Sequence, residues 1–175
     1  VAALGQFKGD DMVFAALEPI ARRDQSWFVE GEANRSIGKL RLPGSLDVLK
    51  RNIDRPSFRQ VVRVGCVDGL VELRDEAGLN VLSRVAKYGE PFQGRGLAVG
   101  ALARLGQHFP VRKKFLGEEI AAYLDDPDFR VRIAASNALK TLKADDQVPA
   151  LERMAARELD GRGVRTAREN AIALR

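Results

Sequence analysis

Apolar residues recur at helical spacing in the segment 125–142, which has the clearest pattern in the chain. Asp126 precedes a proline, and we predict that this aspartate caps a helix whose first turn contains Pro127. Steps of four, four and three residues place the following apolar positions on one face of that helix. We therefore predict a helix with one buried face. Its apolar stripe consists of Val131, Ala135, Leu139 and Leu142.

The same stripe recurs along the whole sequence. The first apolar positions of successive copies are 33, 32, 37 and 33 residues apart, and Arg168 and Arg175 interrupt the last copy. Helical repeats of this length stack into solenoids. The sequence thus predicts an all-α protein, a right-handed α-solenoid of about five helical hairpins. The five first positions are Val29, Val62, Gly94, Val131 and Val164.

The predicted hairpins fill a single domain that spans residues 1–175. Proline and glycine turns set the approximate limits of each hairpin. Residues 1–8 align with the end of the second helix of a hairpin. We therefore expect the sequence to be a fragment of a longer protein that starts in a truncated repeat. The five hairpins cover about 10–42, 44–74, 76–107, 110–143 and 145–175.

Charged residues near the starts of the second helices resemble the pattern of the HEAT-repeat family. That family has an aspartate in the turn of the hairpin and an arginine soon after it in the second helix. Asp126 and Arg132 match this pair, whereas Glu30 stands where the first copy would have its arginine. The resemblance implies that Asp126 and Arg132 pair in the folded protein. Looser copies are Asp54 with Arg63 and Asp160 with Arg165.

Four longer runs are similar to the HEAT-rich C-terminal region of bacterial zinc aminopeptidases of the membrane-alanyl-aminopeptidase family. In that family a His-Glu-x-x-His helix binds zinc, and a C-terminal helical domain covers the catalytic cleft. The resemblance implies a non-catalytic domain that acts as a scaffold, cleft cap or protein-interaction surface of a metallopeptidase. Zinc would then belong to the catalytic part of the parent protein, and the partner would be that catalytic domain or another protein. The runs lie at 55–70, 87–89, 126–132 and 151–162.

The sequence lacks a set of residues suited to zinc or acid–base chemistry. A catalytic zinc site needs several protein ligands, and the chain has a single histidine, His108, and a single cysteine, Cys66. We therefore predict no catalytic, cofactor-binding or metal-binding residues in this fragment, and a buried Cys66 that acts as a small hydrophobe. With no long apolar run and no signal pattern, the chain is predicted to be soluble, and the choice between cytoplasm and periplasm stays open.

The basic balance of the sequence allows an anionic partner. The chain has 29 Lys and Arg against 24 Asp and Glu, a formal net charge of +5. An alternative function is a stand-alone HEAT solenoid that binds protein or nucleic acid through a basic concave face. We expect protein, because this charge is modest and aromatic residues for base stacking are scarce. Trp27 is either a wedge between repeats or an exposed anchor. The candidate binding surface consists of Arg63, Arg95, Arg132, Arg165 and Trp27.

Overall fold

Helices form the regular secondary structure of this protein. The computed structural model describes the backbone of residues 1–175 and all side chains except those of residues 92 and 93. Within this described part of the chain there are ten α-helices and no strands, which confirms the predicted all-α class. The helices are α1 (Asp11–Arg22), α2 (Trp27–Leu40), α3 (Ser45–Asn52), α4 (Val61–Leu73), α5 (Ala77–Ala86), α6 (Phe92–Gly106), α7 (Lys113–Ala122), α8 (Phe129–Leu142), α9 (Val148–Arg157) and α10 (Gly161–Leu174).

The chain divides into two compact units, Val1–Val81 and Leu82–Arg175. In the first unit α2 packs along α4, while α1 packs on α2 and α3 contacts both α2 and α4. The core between these helices includes the buried side chains of Leu17, Ile37 and Leu40. The stripe that begins at Val29 continues with Ala33, Ile37 and Leu40, and these three residues are buried in the core, whereas Val29 is half-buried.

Glycines bring α2 and α4 into direct backbone contact. A β-carbon on Gly38 would lie 2.0 Å from the carbonyl oxygen of Gly69, and a β-carbon on Gly65 would lie 2.1 Å from that of Gly31. No side chain fits at such distances, so these positions require glycine even though glycine weakens a helix. The close contact between α2 and α4 thus depends on the glycine pattern as well as on the apolar stripe.

A buried amide cluster joins α1, α2 and α3. The Asn34 side-chain amide donates to the carbonyl oxygens of Glu30, at 2.8 Å, and Ala21, at 3.2 Å. The Asn52 amide donates to the Asn34 side-chain oxygen at 2.9 Å and to the same Ala21 carbonyl at 3.2 Å. Because buried polar groups are costly unless they are paired, this cluster favours one arrangement of the three helices.

In the second unit α8 packs against both α6 and α10, and α7 and α9 contact these helices. Leu102, Leu116 and Leu139 are buried in the core. A polar contact also joins α8 to α10, because the Asn170 amide donates to Ser136 Oγ at 2.9 Å and to the Asn137 side-chain oxygen at 3.0 Å. The second helices of the predicted hairpins are therefore neighbours in chain order within this unit: α6 packs on α8, and α8 packs on α10. The same holds for α2 and α4 in the first unit.

The start of α8 differs from the prediction. The N-cap is Asp128, whose side chain accepts a hydrogen bond from the Arg130 N–H at 2.9 Å, so the prediction that Asp126 caps this helix is wrong. The Asp126 carboxylate instead accepts from the Asp128 N–H at 2.9 Å and pairs with Arg95. Asp126 and Asp128 are the same residue type two positions apart, so residue preference at the N-cap does not distinguish them. The predicted start of the helix was therefore two residues too early.

The register of α10 is shifted by one residue from the predicted stripe. Ile172 stands eight residues after Val164, a core position of the predicted stripe, but its side chain is 69% exposed. The sequence pattern also predicts a turn over 160–163, but the helix begins at Gly161 directly after its cap Asp160, so both glycines of that segment lie inside the helix. The apolar pattern predicted that the large side chains of Val164 and Ile172 are buried, whereas α10 buries mainly small residues. The buried residues are Gly163, Ala167, Asn170 and Ala171.

Candidate interaction surface

Arg63 and Arg95 lie inside the protein. Only 9% of the Arg63 side chain is exposed, and its Nη2 lies 3.3 Å from Asp54 Oδ1. The Arg95 side chain is 4% exposed and pairs with the Asp126 carboxylate. Its Nε also donates to two backbone carbonyl oxygens at the end of α5, at 3.2 and 3.0 Å. The protein's own acceptors hold both guanidinium groups, so neither group contributes to an exposed binding surface.

Arg132 binds Glu158 instead of the Asp126 carboxylate. Its Nε and Nη2 lie 2.6 and 2.7 Å from the two carboxylate oxygens of Glu158, which makes the pair bidentate. Its Nη1 donates to the backbone carbonyls of Asp126, at 2.8 Å, and Pro127, at 3.0 Å. The predicted side-chain pair between Asp126 and Arg132 is therefore wrong. The Asp126 carboxylate pairs with Arg95 of α6, and the Glu158 carboxylate pairs with Arg132 of α8. In both pairs the two residues are far apart in the sequence.

Hydrogen bonds from Arg132 stabilise the charged form of Glu158. They lower the pKa of this carboxyl group from 4.5 to about 2, and burial opposes the shift without cancelling it. The backbone N–H groups of Leu159 and Asp160 also donate to Glu158, at 2.9 and 3.1 Å. Glu158 is thus a buried anion that orders the turn before α10.

This shifted pKa predicts a loss of stability in acid. Because the folded pKa lies below the unfolded one, the contribution of Glu158 is complete above about pH 4.5 and is lost as the pH falls toward 2. The contribution amounts to roughly 2 to 4 kcal/mol. In urea denaturation, we expect the free energy of unfolding of the Glu158→Gln variant to depend less on pH across this window than that of the wild type. Equal pH dependence in the two proteins would contradict the assigned pair.

Arg165 lies at the surface of the second unit. Its side chain is exposed, and no carboxylate pairs with it among the residues that the structure describes. Because of the shifted register of α10, Val164 occupies the position that corresponds to Arg132. Arg165 therefore does not extend the set of internal ion pairs formed by Arg95 and Arg132.

Trp27 belongs to an exposed aromatic cluster in the first unit. Its ring stacks on Phe58, with 6.4 Å between the ring centroids and 8° between the planes. The residues remain accessible: Trp27 is 47% exposed, Phe58 54% and the adjacent Phe28 66%. Trp27 thus packs against the next hairpin and is exposed at the same time. We call Trp27, Phe28 and Phe58 the aromatic cluster.

A strained turn supports the aromatic cluster. Arg59 and Gln60 both adopt left-handed backbone conformations, with φ of 47° and 58°, which are unfavourable for residues other than glycine. The turn signal at 54–56 in the sequence predicts a helix that begins at Ser57, but this strained turn delays the start of α4 to Val61. The Arg59 guanidinium lies 6.0 Å from the centroid of the Phe58 ring. The turn therefore places Phe58 beside Trp27, and no sequence signal indicated it.

A shallow groove of about 200 Å³ lies beside the aromatic cluster. Phe28, Gly31 and Val61 contribute to its lining. Arg35 also borders the groove and pairs with two carboxylates, Glu32 at 2.8 Å and Asp68 at 2.7 Å. The surface around the cluster thus combines exposed rings with an ion-paired edge, a composition found in protein-binding sites.

The described residues form neither a metal-binding cluster nor a helix suited to span a membrane. Within this part of the chain, no three His, Cys, Asp or Glu side chains come together in a way that could hold a metal ion. None of the described helices combines the length and the apolar character that a bilayer crossing requires. Cys66 is fully buried, as predicted, and burial raises the pKa of its thiol.

Comparison with known proteins finds a structure with a similar fold but does not assign the chain to a family. No protein-family pattern matches the sequence, and no curated protein matches it either. The structure is similar to the crystal structure of an engineered protein, a target of the Northeast Structural Genomics Consortium. The two share 15% sequence identity with a TM-score of 0.56, over 99% of this chain and 87% of that chain. At this identity, the likeness concerns the helical fold alone.

Proposed function

We propose that this chain is a non-catalytic interaction domain, an α-solenoid of HEAT-like hairpins that binds another protein through the aromatic cluster. The observation that carries the proposal is the exposure of three large aromatic side chains, Trp27, Phe28 and Phe58, on a closely packed helical base. Aromatic residues dominate the energetics of protein interfaces because they bury a large apolar area at a small entropic cost. A rigid base lowers the cost of binding further.

Side-chain contacts about one repeat apart support the solenoid part of the proposal. In the first unit, Arg35 of α2 pairs with Asp68 of α4, 33 residues further along the chain. In the second unit, Asn137 of α8 and Asn170 of α10 are also 33 residues apart. Stacked repeats produce such contacts, because equivalent positions of neighbouring repeats lie side by side.

The internal use of arginines favours a protein partner over nucleic acid. Arg63, Arg95 and Arg132 were candidates to contact phosphates, but each is held by carboxylates of this protein. Phosphate binding needs cations that are free to displace counterions. The aromatic cluster does not need them, because its rings can bind apolar side chains of a partner.

The partner that we propose is the catalytic domain of a zinc aminopeptidase-like metallopeptidase. The support for this partner is the sequence resemblance to the HEAT-rich C-terminal region of the membrane-alanyl-aminopeptidase family. In this role the chain would cap or support the catalytic cleft and exclude large substrates by shape. Zinc and the reacting groups would belong to the catalytic domain, so this chain would contribute contact surface and no chemistry.

Fluorescence anisotropy of the dye-labelled chain tests the proposal. The probe is the separately purified catalytic domain of a bacterial zinc aminopeptidase of the membrane-alanyl-aminopeptidase family. We expect saturable binding that the double substitution Trp27→Ala and Phe58→Ala weakens about tenfold or more. The matched control is Phe115→Ala, which removes a phenylalanine of the second unit that is 55% exposed. This control is expected to leave the affinity within about twofold.

Two further measurements separate the alternatives. A nucleic-acid-binding solenoid would bind duplex DNA at about 50 mM salt and lose affinity steeply as salt rises, whereas our proposal predicts no such binding. We also expect the chain alone, with or without added zinc, to hydrolyse no aminoacyl amide, because one histidine and one cysteine cannot supply the site. DNA binding without binding to the catalytic domain would replace the proposal with the nucleic-acid alternative.

A further inference from the structure

The exposed face of α10, in the second unit, carries three arginines. Steps of three, four and three residues place Arg165, Arg168, Ile172 and Arg175 on one side of this helix, and all four are exposed. Arg175 pairs with Glu152 of α9. Arg165 and Arg168, by contrast, pair with no carboxylate in the part of the chain that the structure describes. Unlike Arg95 and Arg132, these two cations are available to a ligand.

An apolar groove runs beside these cations. It lies between α9 and α10 and has a volume of about 330 Å³. Ala155, Ala171 and Ile172 supply its apolar surface, and Arg168 also lines it. Ile172 is 69% exposed at this groove, although a side chain of this size is normally buried. The groove therefore offers apolar burial next to an unpartnered positive charge.

One position on this face of α10 has a counterpart on α8 that contacts another helix. When Gly163 is placed at the position of Val131, Arg168 corresponds to Ser136. Ser136 is fully buried under α10 and accepts a hydrogen bond from Asn170. At this position of α8, a neighbouring helix therefore covers the surface. On α10 an arginine replaces the small serine, so a covering helix would have to bring carboxylates to avoid burying an unpaired charge.

We propose that the groove between α9 and α10 binds an amphipathic helix of a partner protein whose polar face is acidic. Apolar side chains of that helix would enter the groove over Ala171 and Ile172, as in other helix-in-groove complexes. Its carboxylates would pair with Arg168 and, one turn away, with Arg165. A second copy that docked through the same face would offer these arginines only the lining carboxylate of Glu152, which already pairs with Arg175. This site is separate from the aromatic cluster and extends the proposed function to a second partner.

Synthetic peptides test this site on the intact chain. The probe is a dye-labelled amphipathic helix with leucines on one face and glutamates on the other, and the control peptide has lysines in place of the glutamates. We expect the glutamate peptide to bind in fluorescence anisotropy and the lysine peptide not to bind. Arg168→Glu should weaken the glutamate peptide at least about tenfold. Arg153→Glu is the matched control, since this exposed arginine of α9 does not line the groove, and it should change the affinity by less than about twofold.

Circular dichroism of both variants shows whether the helices are retained. Equal affinities for the two peptides, or no effect of Arg168→Glu in a folded variant, would overturn the proposal. Self-association of the wild-type chain in sedimentation, lost in Arg168→Glu, would assign the groove to a second copy instead. Duplex DNA binding that depends on Arg168, without binding of the acidic peptide, would assign the groove to nucleic acid. Self-association and DNA binding of this kind would each reject an acidic helix as the ligand.

Discussion

Replacing Gly38 with alanine is expected to destabilise the first unit by about 2 kcal/mol or more. A β-carbon at this position would lie 2.0 Å from the carbonyl oxygen of Gly69, so the backbones of α2 and α4 would have to move apart. That movement would also loosen the core side chains between the two helices, because protein interiors are close-packed. The measurement is the free energy of unfolding from urea denaturation followed by circular dichroism.

Gly100→Ala provides the matched control for this prediction. Gly100 also lies inside a helix, α6, but a β-carbon there would meet no atom within 4 Å. Alanine has a higher helix propensity than glycine, so we expect this variant to be as stable as the wild type or up to about 1 kcal/mol more stable. If both variants were stabilised to the same extent, the close approach of α2 and α4 would be contradicted.

The Asp126→Asn substitution is expected to cost about 3 to 5 kcal/mol. Asp126 and Arg95 form a pair whose side chains are 5% and 4% exposed, and the substitution leaves the arginine charge buried without its carboxylate. Removal of one member of a buried pair is costly because the remaining ion cannot be solvated. Chemical denaturation of the single variants and of the double variant with Arg95→Met measures the coupling. The double variant should lose less than the sum of the single variants.

The control for this pair is Glu18→Gln. Glu18 pairs with Arg51 at 2.8 Å, but the two side chains are 35% and 53% exposed. Exposed pairs contribute about 0 to 1 kcal/mol, so this variant should lose little stability. Losses of the same size for Asp126→Asn and Glu18→Gln, or strict additivity of the two substitutions at Arg95 and Asp126, would contradict the buried pair.

Local sequence pattern predicted the helices better than their exact ends. The regular apolar stripe predicts a helix over 27–41, and α2 begins at Trp27 and ends at Leu40. The start of α4 was missed, since the left-handed conformations of Arg59 and Gln60 leave no compositional signal. The register of α10 was also missed, because glycine and alanine contribute little to an apolar pattern even where they are the buried residues.

The candidate site was predicted in part. Trp27 was identified from its place at the start of α2, but Phe28 was not, since exposure depends on which helices pack nearby. The arginine positions were recognised, whereas their partners were not, because Arg95 and Asp126 are 31 residues apart and local spacing suggested another pair. Ion pairs between successive hairpins depend on tertiary packing, which a repeat pattern alone does not specify.

The central claim, that the chain binds a protein through the aromatic cluster, is tested most directly by ¹⁹F NMR of the chain labelled with 5-fluorotryptophan. Trp27 is the only tryptophan in the sequence, so the labelled chain has a single reporter at this surface. The account predicts that its resonance shifts or broadens when the unlabelled aminopeptidase catalytic domain is added, and stays unchanged with duplex DNA. A resonance that responds to DNA and not to the catalytic domain would contradict the account.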